Sequence, residues 1–228
     1  DLLREAAFDP DVTTIKITCY RLAPQSKIIN ALINAVRNGK EVVVMLELRA
    51  RFEEEANIEW KNRLEEEGAK VLVEIPNMKV HSKICVIRKK TKDNNSMLYG
   101  FVSTGNLNEK TARLYGDHCL LTSNQKIMSD VNRMFNYLEQ PKSGMNFLRD
   151  CKYIIPSPSI VKKEMLRLID EEIKQARKKK PAAITLKMNS LADGDLIQKL
   201  YEAARAGVQL KLIIRGIFCM YSEHKKFE

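Results

Sequence analysis

Histidine, aromatic residues and long apolar segments are all scarce in this chain. The shortage of aromatic residues and the lack of long apolar segments each argue against a class of protein. The 228 residues include three histidines, and aromatic residues make up 7% of the sequence. No apolar run approaches the roughly 18 residues of a membrane-spanning helix, and no secretory signal peptide is visible. We therefore expect no membrane span and no nucleic-acid-binding module built on stacked aromatic rings.

The cysteines form no recognisable metal or disulfide pattern. There are five, an odd number, and no two of them form a Cys-x-x-C pair. This usage fits a reducing compartment and argues against a zinc site. The chain begins at Asp1 rather than at Met, and we interpret it as a piece of a longer protein.

Positive charge dominates the composition, with a formal net charge of +10. A basic balance favours polyanionic partners, which include nucleotides, polyphosphates, nucleic acid and anionic lipid. The hydrophobic content of 44% is enough for an ordinary buried core, and the length allows one large or two small domains.

Strand and helix patterns alternate along the chain, which predicts a layered α/β fold. A strand at 13–20, a helix at 27–38 and a strand at 41–48 come first, and Ser26 and Gly39 are typical cap residues for that helix. The breaker-rich stretch at 140–144 predicts a domain boundary, which gives domains 1–142 and 143–228.

A faint internal repeat links the two halves. When Gly39 is placed on Gly207, an offset of 168, the apolar positions of the helix and strand around each glycine coincide. We therefore expect the segment 182–216 to repeat the strand–helix–strand unit of 15–48.

The tripeptide His81-Ser82-Lys83 lies in a run of β-branched and aliphatic residues. In a strand, side chains two residues apart share a face, so His81 and Lys83 would point into one site. A neutral imidazole can attack phosphorus, and an adjacent ammonium can stabilise charge on the phosphoryl oxygens. A structural histidine at the start of a strand is the alternative interpretation.

Polar residues follow other predicted strands. Arg21 and Arg51 come after the first and second strands, where ligands of α/β sheets bind, and a guanidinium matches phosphate oxygens. They could instead be ordinary surface arginines. The loop 103–108 allows close approach of a ligand, and its Asn106 could hold the imidazole or a phosphate; a simple helix-capping loop is the alternative.

Longer motifs give a specific resemblance. They are Leu3–Ala7 (LREAA), Thr18–Arg21 (TCYR), Glu47–Trp60 (ELRARFEEEANIEW), His81–Lys83 (HSK), Thr104–Asn108 (TGNLN), Lys110–Tyr115 (KTARLY), Leu120–Thr122 (LLT), Lys187–Ser190 (KMNS) and Ile214–Gly216 (IRG). On these motifs the chain resembles bacterial polyphosphate kinases that use a phosphohistidine, a branch of the phospholipase D superfamily. The resemblance implies two phospholipase D-like domains with mixed β-sheets flanked by helices, the second of them truncated.

The resemblance also implies an activity, namely reversible transfer of the ATP γ-phosphate to inorganic polyphosphate. His81 would accept the phosphate, and Lys83 would stabilise it. Arg21 and Arg51 would belong to a magnesium-phosphate site, where they hold phosphate oxygens rather than the metal itself. Tyr115 and Arg215 would contact the nucleotide.

The implied partners are ATP or ADP, Mg²⁺ and inorganic polyphosphate, with no nucleic acid. The resemblance further implies a homo-oligomer in the bacterial cytoplasm and leaves peripheral membrane association open. The family's second catalytic histidine would follow the described motifs, and His224 does not stand in its context. We therefore expect this piece alone to be inactive.

Two other functions are weaker alternatives. A phosphodiesterase of the phospholipase D or nuclease type would have an Asp five residues after the motif Lys, whereas Arg88 stands there. A basic nucleic-acid-binding module would need a recognisable reading element, and none is found.

Overall fold

A computed structural model describes residues 1–20, 22–23, 25–48, 54–75, 78–93, 95–141 and 145–221. The chain divides into two compact units, Asp1–Ile154 and Ile155–Glu228. None of the helices in these described ranges is both long and apolar enough to cross a membrane.

The first unit is built on one six-stranded mixed sheet in the order β3-β2-β1-β4-β5-β6. The strands are β1 (Val12–Cys19), β2 (Glu41–Leu46), β3 (Lys70–Val73), β4 (Lys83–Lys90), β5 (Ser96–Ser103) and β6 (Cys119–Thr122). β1, β2 and β3 are parallel, and β4, β5 and β6 join in antiparallel pairs beside β1. The carboxyl ends of β1, β2 and β5 and the amino ends of β4 and β6 therefore share one edge, which we call the loop edge.

Helices cover both faces of this sheet. They are α1 (Leu2–Phe8), α2 (Lys27–Arg37), α3 (Glu54–Glu66), α4 (Gln125–Glu139) and α5 (Met145–Arg149). α1, α2 and α3 pack on one face, against buried residues such as Ile15 and Ile17 of β1. α4 and α5 pack on the other face, against Ile84 and Val86 of β4. The expected α/β class, with a mixed sheet flanked by helices, is confirmed.

The predicted caps of α2 are present. The Ser26 side chain accepts a hydrogen bond from the Ile29 amide, which satisfies one of the unpaired donors of the first turn. Gly39 follows the helix with a φ of +75°, a conformation that glycine adopts without steric cost. Local sequence chemistry therefore sets both ends of this helix.

The second unit contains α6 (Val161–Arg177), β7 (Ala183–Met188), α7 (Gly194–Arg205) and β8 (Gln209–Ile214). β7 and β8 pair in parallel, as β1 and β2 do, so the prediction of a second strand–helix–strand unit is confirmed. The register pairs Thr14 with Glu41 in the first unit and Ala183 with Gln209 in the second. The connection in the first unit is therefore one residue longer.

The division into units lies after α5, whereas the sequence places the boundary between 142 and 143. The reason is packing, because Leu148 of α5 belongs to the core of the first unit. The segment after α5 is held as well, by the fully buried carboxylate of Asp130 in α4. Its Oδ2 accepts hydrogen bonds from the amides of Lys152 (2.8 Å), Tyr153 (2.6 Å) and Ile154 (3.2 Å).

We predict that Asp130→Asn loosens this segment. An amide cannot replace the charge that these donors face, and hydrogen bonds to charged groups contribute about 1.5–3 kcal/mol. Amide hydrogen exchange at 152–154 should become at least tenfold faster, while exchange in β1 changes little. Asp150→Asn is the matched control, because Asp150 is exposed. Unchanged protection at 152–154 in the Asp130 variant would contradict the anchoring role.

Candidate active site

His81 lies at the loop edge, two residues before the start of β4 rather than inside it. The prediction that the strand includes His81 is therefore wrong. The ladder between β4 and β5 ends at the pair Lys83 and Ser103. On the other side, the Thr18 hydroxyl donates to the Ser82 carbonyl (2.7 Å) and accepts from the Ile84 amide (3.0 Å). A side chain thus replaces the strand pairing, and the chain before Lys83 leaves the sheet.

The His81 and Lys83 side chains lie together, as their spacing predicts. Lys83 Nζ is 3.1 Å from His81 Nδ1 and donates a hydrogen bond to the His81 carbonyl at 2.5 Å. Lys83 is buried, with 3% of its surface exposed, whereas His81 is exposed. The site therefore presents an imidazole to solvent with a buried amino group beside it.

Tyr20 is a third member of the site that the sequence analysis missed. Its ring meets the His81 imidazole edge to face, with ring centroids 4.7 Å apart and planes at 71°. Lys83 Nζ lies 5.0 Å from the centroid of the same ring. In the sequence, the signals for Tyr20 are its position at the end of the first predicted strand and its place in the Thr18–Arg21 motif.

Glu47 and Asn57, also missed, form a buried polar layer beside His81. Glu47 Oε2 accepts a hydrogen bond from the Val80 amide at 3.0 Å. Asn57 Nδ2 donates to the carbonyls of Tyr20 (3.2 Å) and Glu47 (3.0 Å). Asn57 is fully buried, and its Oδ1 has no hydrogen-bond partner among the described residues. The signal for Asn57 is an asparagine inside a helix, where this residue is usually unfavourable.

Two cysteines lie in the sheet near this edge, Cys19 at the end of β1 and Cys85 in β4. Burial raises the pKa of the Cys19 thiol to about 12. Burial, together with the neighbouring Cys19, raises the pKa of Cys85. Both thiols are therefore protonated at neutral pH and are poor nucleophiles.

The loop after β5 also begins at the loop edge. Thr104 Oγ1 donates to Asp117 Oδ1 at 2.9 Å, and a Cβ on Gly105 would lie 2.7 Å from Asp117 Oδ2. Asn108 Oδ1 accepts from the amides of Lys110 and Thr111, so the loop does cap the following turn. Asn106 Oδ1 differs, because it is buried without a hydrogen-bond partner in the described part of the chain.

Four further residues were predicted for the site. Arg21 and Arg51 are outside the described residues. Tyr115 follows a short 3₁₀ turn at Thr111–Arg113 and is 53% exposed. Arg215 directly follows β8 in the second unit, and its amide donates to the Met188 carbonyl.

The described side chains do not form a protein cage for a metal ion. Across the described ranges there is no group of three or more His, Cys, Asp or Glu residues placed to hold one. Glu47 already accepts a backbone hydrogen bond. Mg²⁺ is commonly bound through substrate phosphates with few protein ligands.

Comparison with known proteins identifies the family of this chain. Residues 1–144 match the family model described as polyphosphate kinase C-terminal domain 1, and residues 154–228 match C-terminal domain 2. The chain belongs to the polyphosphate kinase family. A polyphosphate kinase from Vibrio cholerae is 46% identical over 217 residues, which are 95% of this chain and 30% of that protein. The chain thus spans about a third of the length of such family members.

A solved structure extends the comparison to the fold. The crystal structure of polyphosphate kinase from Porphyromonas gingivalis is 36% identical, with a TM-score of 0.81 over 99% of this chain and 37% of that one. A weaker likeness, to a phospholipase D family member from Salmonella typhimurium, has 17% identity and a TM-score of 0.44 over 60% of this chain.

Proposed function

We propose that this chain is part of the catalytic region of a polyphosphate kinase, which transfers the ATP γ-phosphate reversibly to inorganic polyphosphate through phospho-His81. The observation that carries the proposal is the 3.1 Å approach of Lys83 Nζ to His81 Nδ1, in a chain of this family. An exposed imidazole at the loop edge is accessible to a large polyanionic substrate.

The reaction proceeds in two steps. In the first, an imidazole nitrogen of His81 forms a bond to the γ-phosphorus, and the bond from that phosphorus to the bridging oxygen breaks and leaves ADP. In the second, a terminal oxygen of polyphosphate attacks the same phosphorus and releases the imidazole. A covalent intermediate splits one difficult transfer into two easier ones. Lys83 stabilises the phosphoryl oxygens, which carry most of the charge in the transition state.

The remaining family residues complete the proposed site. Arg21 and Arg51 hold phosphate oxygens beside Mg²⁺, Asn106 binds a phosphate or the imidazole, and Tyr115 and Arg215 contact the nucleotide. Asn106 Oδ1 has no hydrogen-bond partner among the described residues, so it is an available acceptor for an N–H group such as that of an imidazole. Mg²⁺ supplies charge neutralisation on the phosphates when it is bound.

The proposed setting follows the same family. We propose a homo-oligomeric enzyme of the bacterial cytoplasm, with peripheral association at a membrane surface left open. All five cysteines are free thiols, which supports a reducing compartment. A phosphodiesterase is disfavoured because Arg88, not Asp, stands five residues after Lys83 and is exposed.

We predict that His81→Ala abolishes phosphoryl labelling of the full-length enzyme by Mg-ATP carrying a labelled γ-phosphate. A phosphoramidate is acid-labile and base-stable, so the label on the unmodified enzyme should show both properties. His118→Ala is the control, because His118 is an exposed histidine whose described hydrogen bonds come from its backbone. Normal labelling and normal polyphosphate synthesis by the His81 variant would contradict the proposal.

We predict that Arg21→Ala and Arg51→Ala each lower turnover strongly without unfolding the protein. Loss of one donor at a developing charge costs about 3–4 kcal/mol of barrier, roughly 10²–10³-fold in rate. Arg88→Ala is the matched control, because Arg88 pairs with Thr14, away from the loop edge. A lower melting temperature with normal activity per folded molecule would instead show a structural role.

We predict that the 228-residue chain alone synthesises little or no polyphosphate, since it covers about 30% of a family member such as the Vibrio cholerae enzyme. Circular dichroism at the assay temperature should show that the chain is folded, and the full-length enzyme is the positive control. Synthesis at a rate close to that of the full-length enzyme would show that the rest of the protein is dispensable for the reaction.

A further inference from the structure

The Tyr20 ring is the one described aromatic group that contacts both members of the His81–Lys83 pair. His81 lies outside the strand and is exposed, so the ladder that orders β4 does not order its side chain. The Tyr20 ring closes one side of the imidazole at 4.7 Å. It therefore restricts the plane that the imidazole can adopt.

We propose that Tyr20 is a positioning residue for phosphorylation of His81, and that Asn57 fixes Tyr20 in turn. The proposal rests on the proposed function, because it concerns how His81 is held for that reaction. The ring has two tasks: it sets the orientation of the imidazole, and it holds the Lys83 ammonium beside it.

The second task follows from the electrostatics of aromatic rings. The face of an aromatic ring carries partial negative charge and attracts a cation within about 6 Å of its centroid. Lys83 Nζ lies 5.0 Å from the Tyr20 centroid and 3.1 Å from His81 Nδ1. One ring therefore positions both the nucleophile and the cation that would stabilise the transferred phosphoryl group.

Asn57 links the two segments that flank His81. Its buried Nδ2 donates to the carbonyls of Tyr20 and Glu47. The Glu47 carboxylate then accepts from the amide of Val80, the residue directly before His81. The same amide group thus holds the backbone of the residue whose ring packs on His81 and, through Glu47, the backbone that leads into His81.

Substitutions of Tyr20 can distinguish the role of the aromatic ring from that of the hydroxyl group. Phenylalanine keeps the aromatic ring that contacts the imidazole and the ammonium, whereas leucine fills part of the same space without a ring. Misplacement of a reacting group by about 1 Å can lower a rate 10²-fold. Tyr20→Phe should therefore behave like the unmodified protein, and Tyr20→Leu should not.

The test is single-turnover labelling of His81 in the full-length enzyme, by rapid quench at several concentrations of Mg-ATP labelled at the γ-phosphate. Tyr20→Leu should lower the maximal labelling rate constant by about 10- to 100-fold. The ATP concentration that gives half-maximal rate should change less than about threefold, since the ring is not proposed to bind the nucleotide. Tyr20→Phe should retain at least about a third of the maximal rate constant.

Tyr20→Met is a second variant without an aromatic ring, used in the same way if Tyr20→Leu does not fold. A normal rate constant in a folded non-aromatic variant would overturn the proposal. An equal loss in Tyr20→Phe would overturn it too, because the hydroxyl and not the ring would then matter. If the His81→Ala variant is still labelled, both the proposed function and the role of Tyr20 are wrong. If labelling depends on His81 but the Tyr20 variants are labelled at a normal rate, only the role of Tyr20 is wrong.

Discussion

The site depends on how β1 and β4 separate at the loop edge. The regular pairing of the two strands continues as far as Ile17 and Cys85, and then the Thr18 hydroxyl takes over the carbonyl of Ser82 and the amide of Ile84. Because a side chain satisfies these buried backbone groups, the chain can leave the sheet at Ser82 without leaving them unpaired. His81 reaches solvent as a result, while Lys83 stays within the core.

A second feature of this arrangement is a group of buried polar side chains near His81. Thr18, Glu47, Asn57 and Lys83 are all buried at the loop edge, where an unpaired polar group would cost about 1–3 kcal/mol. The hydrogen bonds of Thr18 and Glu47 join the ends of β1 and β2 to the segment before β4. The satisfied hydrogen bonds of such a network rigidify a site, and among these groups only Asn57 Oδ1 has no partner in the described part of the chain. Rigidity is what the proposed nucleophile needs for a fixed line of attack.

The sequence predicted the elements whose signals are local. Ser26 and Gly39 mark the ends of α2 correctly, and the second strand–helix–strand unit lies within its predicted range of 182–216. It placed His81 wrongly inside β4, because an apolar pattern does not show where a strand loses its neighbours. It missed Tyr20 and Asn57 because their importance lies in contacts across the fold, 61 positions apart for the ring pair and 37 for the amide. Lys83 was found because its partner stands two residues away.

The repeat shows how one backbone unit carries two kinds of chemistry. At the offset of 168, β2 corresponds to β8, and Glu47 after β2 corresponds to Arg215 after β8. In the first unit this position is a buried carboxylate that holds the backbone leading into His81. In the second unit it is an exposed guanidinium, which suits the proposed contact with a nucleotide phosphate. The same position after a parallel strand therefore supports the proposed nucleophile in one unit and presents a cation to solvent in the other.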